Sequence, residues 1–139
     1  MKLQVATIAK TTYASDNVSS CTVPTLSGEI TILNRHVPLV SLLKPGVVKV
    51  VHEDDSVEFL AVSTGMLEVR TSNDELDTKI VILADQADRA GEVDLDVVEK
   101  AKERARVALE QPQTLSEEEY KVMVADLAMQ EARIKAANR

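Results

Sequence analysis

Two different rhythms of apolar and polar residues divide this chain. Up to about residue 84 the apolar positions alternate: Leu3 and Val5, then Val57, Phe59 and Ala61, then Ile80 and Ile82. Period two places every second side chain on one face, the pattern of a half-buried strand. The runs Val47-Val48 and Val50-Val51 are β-branched and suit a pleated surface. Turn-forming residues separate the segments at Asp16-Asn17, Ser27-Gly28, Pro45-Gly46, Glu53 to Asp55, Thr64-Gly65 and Ser72 to Asp74. Many short strands at this spacing predict an antiparallel β-sandwich or barrel, with no helix between strands to make parallel crossovers.

From about Asp94 the period lengthens. Val98, Ala101, Ala105, Ala108 and Leu109 recur at steps of three and four, with Lys and Glu between them, and predict an amphipathic helix. Pro112 ends it, because proline disfavours helix at the residue before it. Ser116 with Glu119 three positions later reads as a capping box that starts a second helix, with Tyr120, Met123, Leu127 and Ile134 as its apolar stripe. A short connection makes the two helices an antiparallel hairpin. The fold class is therefore α+β, an antiparallel sandwich over residues 1–88 followed by a two-helix hairpin over 89–139. The stripes are narrow and alanine-rich, so an undocked hairpin would be marginally stable.

Composition narrows the function. Aromatic residues are 2% of the chain against 45% hydrophobic, so the core must rest on Val, Ile, Leu, Met and Ala. A net charge of −7 argues against a nucleic-acid partner, which needs a basic surface to displace counterions. The lone Cys21 forbids an internal disulfide and fits a reducing compartment. No apolar run approaches the ~20 residues of a membrane span, and the first residues lack the apolar core of a signal peptide. Membrane association is therefore expected only through a partner. Cys21, His36 and His52 are the only residues of the Cys/His kind and have no ligand spacing. With no Gly-x-Ser-x-Gly elbow and no phosphate-binding loop, neither a catalytic nor a metal residue is expected.

Ser27 to Gly46 is the most specific segment. It runs Gly28, Glu29, an apolar stretch, Asn34-Arg35-His36, Pro38, a second apolar stretch and Lys44-Pro45-Gly46. That order resembles the N-terminal domain of the epsilon subunit of F-type ATP synthases, the counterpart of the mitochondrial delta subunit. Phe59 to Arg70 is similar to the family's strand, glycine turn and strand, and Val81 to Asp94 to its junction between sandwich and hairpin. The family's usual Leu-Pro-Gly-His or Leu-Pro-Asn-His is here Leu33-Asn34-Arg35-His36, equal in length but with an added charge. Residues 73–78 are longer than the family's connection and read as a surface insertion.

The resemblance implies a non-catalytic central-stalk subunit of a proton- or sodium-translocating synthase. Its partners would be the gamma subunit, the membrane rotor c-ring and the alpha/beta catalytic head, where the chemistry resides. It would lie peripherally on the cytoplasmic face of a bacterial plasma membrane, or on a thylakoid or other energy-coupling membrane. Glu29, Asn34, Arg35 and His36 become the residues expected to meet the ring and gamma. Lys121, Arg133, Lys135 and Arg139 would meet the head if the hairpin extends, and so inhibit hydrolysis. Some family members bind ATP through Ile/Leu-Asp-x-x-Arg-Ala. Here Asp94 is kept, but Val97 and Val98 occupy the arginine and alanine positions. Only Asp94, Arg89 and Arg104 remain as ATP candidates, and no cofactor is expected. The alternative is a free-standing β-sandwich adaptor with a passive helical tail.

Overall fold

The computed structural model describes residues 1–71 and 77–139; the expected insertion at 73–78 lies mostly outside them. Ten strands come first: β1 (Lys2–Ala6), β2 (Thr11–Ser15), β3 (Val18–Thr25), β4 (Gly28–Leu33), β5 (Leu39–Leu43), β6 (Gly46–His52), β7 (Val57–Val62), β8 (Gly65–Thr71), β9 (Thr78–Ala84) and β10 (Ala87–Arg89). A 3-10 turn over Ala90–Glu92 leads to helix α1 (Leu95–Leu109), and a second over Pro112–Thr114 leads to α2 (Glu117–Ala137).

The strands form one continuous ladder in the order β10-β7-β6-β3-β5-β8-β9-β1-β2, with β4 branching from β3. The long strand β3 makes this possible. Its length pairs with β4 and β6, while its last residue, Thr25, pairs with Leu43 of β5 and carries the ladder into the second layer. Among the described residues all pairings are antiparallel except one. β1 lies parallel to β9, with Leu3 opposite Ile80 and Val5 opposite Ile82. Hairpin neighbours must run antiparallel, but β1 and β9 are far apart in sequence, so no turn dictates their direction.

Inward positions of both layers fill one aliphatic core. Val5, Cys21, Val23, Ile32, Val48, Val50, Leu60, Val62, Leu67, Ile80 and Ile82 are completely buried there. Tyr13 is the aromatic member of this cluster, so stability comes from many mid-sized side chains, each contributing roughly 1.5–3 kcal/mol.

The helices begin where their caps dictate. Asp94 accepts hydrogen bonds from the backbone N–H of Asp96 (3.1 Å) and Val97 (3.4 Å) at the start of α1. The capping box forms at α2: Glu119 N–H donates to Ser116 Oγ at 3.1 Å, and Ser116 N–H to Glu119 Oε2 at 3.4 Å. One expectation about α2 needs correction. Of its predicted stripe, Tyr120 is exposed, while the buried residues are Met129, Gln130, Ala132 and Ala136. The helix has two contact faces, because it packs on α1 and also on β6 and β7. Met129, Ala132 and Ala136 form a second apolar cluster with Val47 and Ala61, edged by Phe59 and Ala90. Alanine side chains let the helix lie close to the sheet, and Met129 is the large apolar side chain that α2 adds to this cluster.

Candidate interaction surfaces

The Asn34-Arg35 turn after β4 is stapled to the start of β9. Asn34 Oδ1 accepts from Thr78 N–H at 3.0 Å and from Arg35 N–H at 3.1 Å, and Arg35 N–H also donates to Thr78 Oγ1 at 2.6 Å. Arg35 sits in the left-handed region at φ 67°, a conformation uncommon outside glycine that these bonds hold in place. His36 Nδ1 lies 2.7 Å from the Val37 carbonyl. A carbonyl only accepts, so Nδ1 carries the hydrogen. Asn34 therefore works as a structural clamp, while Arg35 is left exposed between the exposed side chains of Leu33 and Val37.

Glu29 is not part of this turn. It lies at the opposite end of β4, four residues before Leu33, roughly 13 Å away at the usual strand rise. The four residues expected to act together thus mark two ends of one strand.

The basic residues of α2 also separate. Lys121 is exposed and pairs with Glu117 at 3.7 Å, and Lys135 and Arg139 are exposed. Arg133 is engaged: Nε donates to Asp88 Oδ2 at 2.6 Å, Nη1 to Gln130 Oε1 at 3.1 Å and Nη2 to Gln86 Oε1 at 3.1 Å. The ATP candidates each have a separate setting. Asp94 caps α1, Arg89 is bonded to Glu58 at 2.9 Å, and Arg104 borders an open groove on α1 with Lys100, Glu103, Val107 and Ala108. Among the described residues no three His, Cys, Asp or Glu side chains gather into a metal site. No described helix is long and apolar enough to cross a membrane.

A surface that residue motifs did not reveal lies on the outer face of the β5-β8-β9 layer. Leu42 stands opposite Met66, and Met66 opposite Leu83. These three are 55%, 47% and 53% exposed, in a row across three strands, with Val40 two positions along β5 from Leu42. The exposed Leu26 at the β3-β4 turn adds to it, its N–H bonded to the Leu42 carbonyl at 3.0 Å. A row of this kind marks an interaction site more often than it occurs by chance on a free surface. Its signal in the sequence was lost alternation: Leu39 to Leu43 and Ile80 to Ala84 are nearly continuous apolar runs, as in strands covered on both faces.

Residues 1–90 match the family described as ATP synthase, Delta/Epsilon chain, beta-sandwich domain. The chain belongs to this family. The ATP synthase epsilon chain of Dichelobacter nodosus is 38% identical over 98 residues, covering 70% of this chain and 64% of that one. The epsilon chain of Staphylococcus aureus is 36% identical over 110 residues, covering 79% and 77%. The alignment thus spans a little under two thirds of the first relative and about three quarters of the second.

Two solved assemblies share the fold. One is the Euglena gracilis mitochondrial ATP synthase, OSCP/F1/c-ring in rotational state 1. Its matching chain has a TM-score of 0.76 and 23% identity, with 99% of this chain and 80% of that chain covered. The other is the Tetrahymena thermophila mitochondrial ATP synthase, central stalk and c-ring. There the TM-score is 0.59 at 16% identity, with 99% and 96% covered. At these identities the likeness speaks to the fold, and it includes the helical region of this epsilon-type chain. Membership in the delta/epsilon family makes the chain an accessory subunit of an ATP synthase and sets aside the unrelated adaptor.

Proposed function

We propose that this epsilon-type chain is a rotor subunit of the central stalk that carries no active site and works through surfaces. The sandwich is a rigid foot. Its outer row Leu42, Met66 and Leu83 packs on the gamma subunit, and the turn bearing Arg35 and His36 faces gamma and the membrane rotor ring. The observation that carries this reading is the exposed apolar row on a fold of this family, because three large apolar side chains in cross-strand register gain most from burial against a partner. Residues 1–88 form this foot, and 89–139 form a regulatory hairpin that restrains ATP hydrolysis by the alpha/beta head when it leaves the sandwich. The site of action is the cytoplasmic face of a bacterial energy-coupling membrane, reached through the ring and without insertion of this chain.

A second reading keeps the hairpin permanently folded as a passive part of a coupling subunit. The engagement of Arg133 with Asp88 favours it, since that cation is not free to meet the head. ATP hydrolysis by the catalytic head with gamma separates the readings, measured alone, with the full chain and with residues 1–90. Suppression by the full chain only supports a regulatory hairpin. Equal rates with confirmed binding of both forms support the passive tail.

A further inference from the structure

The face that carries the apolar row changes character toward its other end. Alternate residues of a strand share a face, so the outward residues are Met66, Glu68 and Arg70 on β8, and Leu83, Val81 and Lys79 on β9. Arg70 stands opposite Lys79, and Lys79 stands opposite Lys2 across the parallel β1-β9 pair. Three cations thus lie side by side on three adjacent strands. They are roughly 13 Å from the row Leu42, Met66 and Leu83 at the usual strand rise. Arg70 and Lys2 are exposed, and Lys79 is half-buried. A fourth cation, Arg35, belongs to the same end, because its backbone N–H is bonded to Thr78 next to Lys79.

Nothing in the sheet itself asks for this row. Like charges directly opposite one another destabilise a strand pair, and here the repulsion is repeated across two pairs. Among the described residues the compensation is slight. Glu68 reaches Arg70 at 3.9 Å with both side chains about half exposed, and neither Lys2 nor Lys79 has a carboxylate within ion-pairing distance. Asp77, two positions before Lys79, pairs with the Met1 amino group at 3.7 Å instead. The chain as a whole carries a net charge of −7, so the row is a local reversal of sign.

We propose that the row Arg70, Lys79 and Lys2 receives an acidic segment of the gamma subunit. The inference rests on the reading that Leu42, Met66 and Leu83 pack on gamma, and it names the chemistry gamma brings to the other end of that face. Both rows lie on one face of the same neighbouring strands, so a partner seated on the apolar row and extending along β8 and β9 meets the cations. Its carboxylates relieve the like-charge repulsion and fix the register of the two subunits. An anionic membrane is the poorer match. Lipid surfaces are held by clusters of about four to eight basic residues, and the net charge of −7 opposes the approach. Charges at the rim of an interface act mainly on association rate and salt dependence, and these are the quantities to measure.

The test measures binding of the full chain to purified gamma with the catalytic head, from about 50 to about 500 mM NaCl. The wild type is compared with Met66→Glu and with a triple variant carrying Lys2→Gln, Arg70→Gln and Lys79→Gln. Wild-type affinity should fall about tenfold across this range. The triple variant should bind about tenfold more weakly than the wild type at low salt and lose little more as salt rises. Carbodiimide, which joins a lysine amine to a carboxylate in contact with it, should link Lys2 or Lys79 to gamma, and peptide mapping then identifies the acid. A triple variant that binds like the wild type at low salt, while Met66→Glu does not, overturns the proposal and leaves the gamma reading standing. A wild type that does not bind at all overturns both. Retention of the wild type but not the triple variant on phosphatidylserine vesicles, without any carbodiimide link to gamma, assigns the row to lipid and also overturns the proposal.

Discussion

Arg133 Nε lies 2.6 Å from Asp88 Oδ2, joining two residues 45 positions apart and tying the last helix to the last strand. The same guanidinium reaches Gln86 on the sandwich and Gln130 within α2, so two of its three contacts cross the seam between hairpin and sandwich. A charge-assisted bond of this geometry is stronger than a neutral one, but both side chains retain some exposure. Asp88→Ala should therefore weaken docking by only about 1 kcal/mol. Limited proteolysis of α1 and α2 checks it: cleavage within the hairpin should speed up several-fold while the sandwich stays intact. An unchanged cleavage rate would mean that the alanine-methionine cluster holds the helix alone.

Gly65 answers to packing across the sheet. Its place after Thr64 predicts a hairpin turn, but it lacks the positive φ found at Gly28. A Cβ at Gly65 would stand 2.0 Å from the Leu83 carbonyl oxygen and 2.7 Å from the Ala84 Cα, both backbone atoms of the neighbouring strand. Gly65→Ala must push β8 and β9 apart and should cost upward of about 2 kcal/mol. The urea midpoint of the variant measures this, and a midpoint equal to the wild type would refute the close-approach argument.

Most elements were legible because they follow local rules. Alternation located the strands, Pro112 the break between helices, and Ser116 with Glu119 the start of α2. The rest depends on register between distant segments. The parallel β1-β9 pair, the outer row Leu42-Met66-Leu83 and the second contact face of α2 all arise from neighbours that no local window contains. Glu29 and His36 looked adjacent to one turn, whereas β4 carries them to opposite ends. Arg133 was expected to meet the head, and its bond to Asp88 is invisible to a local window because that partner lies in another element.

Cys21 should be inert in the folded protein. It is completely buried, and that burial pushes its thiol up to about 12. Only the thiolate attacks alkylating reagents. Iodoacetamide at pH 8 should leave the native chain unmodified over an hour and label it fully in urea. Stoichiometric labelling of the native chain would show that the sandwich opens near β3.

Asp54 gives a pH signature on the acid side. Hydrogen bonds from the Ser56 hydroxyl and N–H hold its carboxyl below the ordinary aspartate value. A depressed folded value means its contribution to stability is complete above about pH 4 and is lost as pH falls through the folded value. Ser56→Ala should therefore lower stability near neutral pH and narrow its gap to the wild type as the solution is acidified below about pH 4. Thermal melts from pH 2.5 to 7 would show this, and a gap that stays constant across the range would contradict it.

The most direct test of the rotor-subunit account is co-elution of the full chain with purified gamma and catalytic head, beside Met66→Glu. The exposed Met66 side chain makes the variant's own fold safe, while a charge at the centre of the apolar row should weaken the complex at least about tenfold. The account predicts one-to-one co-elution of the wild type and its loss in the variant. A wild-type chain that elutes alone, or a variant that binds as tightly, would contradict it.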